Sequence, residues 1–106
     1  LNIPSSAAYS GSARVSLSTL RASAGEKVTV YAYGFPVNSY VDYRVGEEDE
    51  PYSVVYDGSI DSEGYGSVTI TIPSAADEGE YWVILVTTTS HTEAVEVTSQ
   101  RITIED

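Results

Sequence analysis

The stretch Asp77-Glu78-Gly79-Glu80-Tyr81-Trp82-Val83-Ile84-Leu85-Val86 decides how this chain folds. A glycine-bearing acidic turn runs directly into an unbroken apolar run, Tyr81–Val86. That run is far shorter than the ~20 residues a membrane-spanning helix needs. Its aromatic and β-branched residues suit a pleated surface. The segment Glu80–Thr89 is therefore predicted as a strand that is apolar on both faces.

Moving outward, alternation of apolar and polar residues recurs along the chain. It is found at Arg14–Ser18, Lys27–Tyr33, Tyr40–Val45, Tyr52–Tyr56 and Ser67–Ile72, and again at Glu93–Val97 and Arg101–Ile104. Period-two alternation turns one face of each strand to a core and the other to water. The phase slips near Ser99 and Gln100, which predicts a bulge or short break. Turn-forming residues separate the runs at Ala24-Gly25, Gly34-Phe35-Pro36, Asp57-Gly58, Glu63-Gly64 and Gly79. No window carries a helical stripe. About seven short strands at this spacing predict an all-β fold, an antiparallel sandwich with a barrel as the alternative closure.

Composition bounds the role. The chain has 106 residues, 42% of them apolar, with 9 Tyr, which suits one folded domain rather than a disordered chain. It lacks cysteine and has one histidine, His91, so disulfides, thiolate sites and multi-histidine metal sites are excluded. The net charge is −11, and Arg14, Arg21, Lys27, Arg44 and Arg101 are scattered along the sequence. Nucleic acid and anionic lipid, both polyanionic, are excluded as partners. Residues 1–12, rich in Ser and Ala, read as a linker or N-terminal arm, and 13–106 as the domain. The chain starts at Leu1 rather than Met, which reads as a piece of a longer or processed protein.

The Asp77-x-Gly79-x-Tyr81 spacing resembles the turn before strand F of immunoglobulin-like sandwiches. There a tyrosine packs inward and its hydroxyl bonds back to the backbone, a tyrosine corner. The resemblance implies that Tyr81, Val83 and Leu85 face the core, with Val83 against Val30 where antibody domains place a disulfide. Further segments extend it: Gly25-Glu26-Lys27-Val28-Thr29-Val30, Gly34-Phe35-Pro36-Val37-Asn38 and Asp61-Ser62-Glu63-Gly64. In this order they resemble the bacterial Ig-like repeats of cell-surface and secreted proteins, from Ala13 to about Thr89. That family implies an extracellular stalk, spacer or adhesion module, joined to neighbouring domains of its own polypeptide or to other surface proteins. It implies no catalytic residue and no cofactor. Val28, Val30, Phe35, Val68, Ile70 and Ile72 would form the core with Tyr81, Val83 and Leu85.

A ligand-binding module, for carbohydrate or a calcium-dependent partner, is the alternative. Asp57, Asp61 and Glu63, beside the acidic run Glu47–Glu50, are candidate calcium ligands. Adjacent carboxylates cannot all face one ion, so a solvated acidic loop competes with that reading. Trp82, Ile84 and Val86, on the other face of the Tyr81 strand, form a candidate contact surface. Tyr40, Tyr52 and Tyr65 near strand ends are candidate sugar-stacking rings. Ser90, His91 and Glu93 can be drawn as a triad, but neighbours in a turn point apart and no nucleophile elbow is present.

Overall fold

The computed structural model describes residues 13–89 and 94–106. These residues form nine strands and no helix. The strands are β1 (Arg14–Leu17), β2 (Arg21–Ser23), β3 (Lys27–Tyr33), β4 (Tyr40–Glu47), β5 (Val54–Ser59), β6 (Gly66–Thr71), β7 (Tyr81–Thr88), β8 (Glu96–Thr98) and β9 (Ile102–Glu105). The predicted linker 1–12 lies outside the described residues, as do Ser90, His91, Thr92 and Glu93.

Two sheets share one core. One has the order β1-β3-β6, and the other runs β2-β9-β7-β4-β5, with β8 also pairing β7. Neighbours are antiparallel except β2 and β9, which run parallel. The strand β2 has no counterpart in the sequence reading, since three residues are too few for alternation to register. It arises because the N-terminal segment leaves the smaller sheet after Leu17 and joins β9 of the larger one. The predicted slip near Ser99 is present: β8 and β9 both pair β7, and Ser99 interrupts them. There the backbone N–H of Ser99 donates to the Ile84 carbonyl, and the Ile84 N–H donates to the Ser99 hydroxyl.

The core forms where the inward faces meet. Val28, Val30, Ala32 and Ile70 come from the smaller sheet; Val41, Tyr43, Val45, Ile84, Val86, Ile102 and Ile104 come from the larger. Phe35 and Ile72 are buried as predicted, and Val68 is half-buried against the cluster.

Strand β7 corrects the sequence reading. Trp82, Ile84 and Val86 face the core, and Trp82 is only 6% exposed, so these residues offer no contact surface. Tyr81 points outward at 43% exposure, and no tyrosine corner forms. Val83 shares the outward face yet is buried. Its cross-strand partner is Gly46, and the Tyr52 backbone lies over Gly46, 2.8 Å from where a Cβ would stand. Both faces of β7 are apolar because a folded-back loop covers the second one. The acidic segment is therefore partly structural: Gly46 and Glu47 extend β4, and Glu48 donates its N–H to the Tyr81 carbonyl.

Tyr43 sits at the centre of the larger sheet, fully buried, and its hydroxyl has no hydrogen-bond partner. Burial, helped by Tyr65, pushes the phenol up to about 12. An orphaned buried hydroxyl costs about 1–3 kcal/mol of desolvation. Tyr43→Phe is therefore expected to match or exceed wild type in urea denaturation at pH 7. The folded state keeps this proton when the unfolded chain begins to release it near 10.0, so wild type loses stability between there and about 12. Tyr43→Phe should lose less over that window.

Among the described residues, β1 begins and β9 ends at opposite poles. Arg14 pairs with Tyr33, at the end where β3 turns toward β4. Glu105 pairs with Ser23, at the end where β2 turns into β3. The principal extents are 43 × 24 × 21 Å.

Candidate functional site

The outer faces of the two sheets differ in charge. Although the chain carries 16 Asp and Glu, strands β1, β3 and β6 contain none. Their outward positions are Arg14, Ser16, Lys27, Thr29, Tyr31, Tyr33, Ser67, Thr69 and Thr71, set by the inward burial of Val28, Val30, Ala32 and Ile70. The Thr29 and Thr69 hydroxyls meet at 3.3 Å across the strand pair.

At the Tyr33 end of this face lies an aromatic platform. Tyr31 and Tyr33, two residues apart on β3, stack with centroids 6.5 Å apart and planes 25° apart. Tyr65 joins from the β5–β6 turn, its centroid 5.4 Å from that of Tyr33. Tyr33 is 40% exposed and Tyr65 37%. The turn that presents Tyr65 is tightly held. The Asp61 carboxylate accepts the N–H groups of Glu63 at 2.9 Å and Tyr65 at 3.0 Å. Gly64 adopts φ 83°, where a side chain is strained, and a Cβ there would meet the Phe35 carbonyl at 3.0 Å. Phe35 donates its N–H to the Gly64 carbonyl, which ties this turn to the β3–β4 loop.

Of the tyrosines singled out in the sequence, only Tyr65 belongs to this group. Tyr40 begins β4, 64% exposed, and Tyr52 folds over Gly46. In the sequence, Tyr31 and Tyr33 stand out only as part of the alternating run Lys27–Tyr33. The signal available was their i, i+2 spacing, which puts both rings on one face.

The candidate calcium ligands are dispersed. Asp57 lies on β5 opposite Asp42, Asp61 is occupied in its own turn, and Glu63 is exposed. Among the described residues, no group of three or more His, Cys, Asp or Glu is gathered to hold a metal. The Ser90, His91 and Glu93 grouping lies outside the described residues. Among those described, no helix is long and apolar enough to cross a membrane.

Two carboxylates at the opposite pole secure turns. Glu80 accepts the Asp77 N–H at 2.8 Å and the Trp82 indole N–H at 3.1 Å, and these bonds hold its carboxyl below the usual range. Glu80 thereby fixes the crossover that a tyrosine corner was expected to fix. Glu48 receives Arg101 through both Nη2, at 2.8 Å, and Nε, at 3.3 Å, and the Arg101 guanidinium lies 4.4 Å from the Tyr81 ring centroid. Desolvation and then the nearby Glu80, Glu50 and Asp77 raise the Glu47 carboxyl.

The two shifts act oppositely on acid stability. Glu47 binds its proton more readily when folded, so acidification toward its raised value stabilises. Protonation weakens the two hydrogen bonds that Glu80 Oε1 accepts, so stability then falls as the pH drops through its lowered value. Thermal melts are expected to rise slightly as the pH falls into the raised Glu47 range and to fall again once the pH drops below the usual carboxylate range. Glu80→Gln should lower the midpoint at pH 7 and flatten the acid limb.

No protein-family model and no curated protein matches the chain. Among solved structures, macromomycin is similar, with a TM-score of 0.66 and 18% identity over 87% of this chain and 98% of that one. At that identity the likeness is one of fold.

Proposed function

We propose that this chain is a non-catalytic structural and adhesion module of an extracellular bacterial surface protein, built as an immunoglobulin-like sandwich and joined to neighbouring domains. The single observation that carries the proposal is the placement of Arg14 and Glu105 at opposite poles. A module threaded in this way transmits tension along its long axis. The parallel β2–β9 pair suits that load. Pulling the two ends loads β1 along its pairing with β3 first, and then draws β2 by its N-terminal end and β9 by its C-terminal end. The hydrogen bonds between them are then loaded together in shear rather than opened one by one. The order β1-β3-β6 against β2-β9-β7-β4-β5 supports the immunoglobulin-like reading. Of the carboxylates that the sequence offers as ligands, Asp61 accepts backbone N–H groups within its own turn, and Glu48, in the acidic run beside them, is engaged by the Arg101 guanidinium.

The full chain tethered by its two ends in a force experiment should unfold in one abrupt step. Gradual strand-by-strand extension at low force would refute the proposal.

A further inference from the structure

We propose that the platform of Tyr31, Tyr33 and Tyr65 is a binding site for a neutral β-1,4-linked polysaccharide. This goes beyond the structural role, which stands without it.

What this face carries and what it lacks both suit a sugar. Its outward strand positions hold hydroxyl, aromatic and cationic side chains, with no aliphatic residue and no carboxylate. A β-linked glucose or xylose unit presents flat C–H faces edged by equatorial hydroxyls. The C–H faces suit the electron-rich rings, and the hydroxyls suit a rim of donors and acceptors. Arg14 stands opposite Tyr33 in the strand register, and Ser16 and Ser67 stand opposite Tyr31. Arg14 is a single cation beside the rings on a chain of net charge −11, which favours a neutral chain over a polyanionic one.

The rings are also held in place before any ligand arrives. Tyr31 and Tyr33 project from a central strand, and the Asp61 hydrogen bonds and Gly64 fix the turn bearing Tyr65. Little ordering entropy remains to be lost on binding. The aromatic surface extends past a single ring, with Tyr33 6.5 Å from Tyr31 and 5.4 Å from Tyr65, which favours successive sugar units of one chain over a single monosaccharide.

Native gel electrophoresis of the full chain, with and without hydroxyethylcellulose or xylan in the gel, tests this directly. Wild type should be retarded by at least one of the two. Tyr33→Ala should run as in the empty gel, and Tyr33→Phe, which keeps the ring, should stay retarded. Tyr40→Ala, on the other sheet, should behave as wild type. Circular dichroism melts would establish that each variant is folded. Equal mobility of wild type in all gels would overturn the proposal, as would retardation that survives Tyr33→Ala. Concentration-dependent self-association abolished by Tyr33→Ala would also overturn it, by assigning the face to a second copy.

Discussion

Trp82→Ala is expected to lower the unfolding free energy by about 4 kcal/mol, read from urea denaturation. Trp82 is 6% exposed, pairs with Ile102 across β7 and β9, and donates its indole N–H to Glu80. Truncation leaves a large cavity between the sheets and frees the carboxylate that fixes the Asp77 turn. Tyr81→Ala, one residue earlier, should cost less than about 1 kcal/mol, because its ring is exposed and only covers Arg101. Tyr81→Phe should match wild type, since the ring still faces the guanidinium. The reverse order of the two alanine variants would restore the phase implied by a tyrosine corner.

Gly58→Ala is expected to cost about 3 kcal/mol, at the upper end for overpacking. An added Cβ would stand 2.4 Å from Cε1 of Tyr43, and that ring is wholly buried. The ring cannot swing away, because its hydroxyl end abuts the space beside Gly66, where a Cβ would lie 3.2 Å from the Tyr43 oxygen. Gly58 is thus small because Tyr43 is large, whereas at Gly66 an added Cβ would first meet the Ser59 carbonyl, at 2.6 Å. In a Tyr43→Ala background most of the added cost should vanish, a coupling that a double-mutant cycle measures. Full additivity would mean that ring and glycine do not meet.

The sequence carried the strand content well, because alternation at Lys27–Tyr33 and Ser67–Ile72 reports burial on one face directly. It did not carry the phase of β7. When both faces are apolar, alternation is silent, and only a partner can say which face is inward. The partners were long-range: Glu80 drawn to Trp82, and Gly46 making room for Tyr52 over the Val83 side. The short strand β2 was hidden for a similar reason, since it exists by pairing with β9 about eighty residues away. The tyrosine platform was half legible. The spacing of Tyr31 and Tyr33 places them on one face, but the approach of Tyr65 depends on how the β5–β6 turn folds against Phe35. For Asp61, the sequence offered a metal ligand, whereas the fold uses it as a turn acceptor.

The central claim, that the body is built to carry load from pole to pole, is tested most directly by pulling it in two directions. The chain has no cysteine, so a single introduced thiol gives a unique handle. With both ends tethered, β2 and β9 are sheared. With Ala24→Cys and the C-terminus tethered, both handles sit at one pole and the same strands are unzipped. The account expects a several-fold higher unfolding force in the first geometry. Equal forces, or a weaker end-to-end direction, would contradict it.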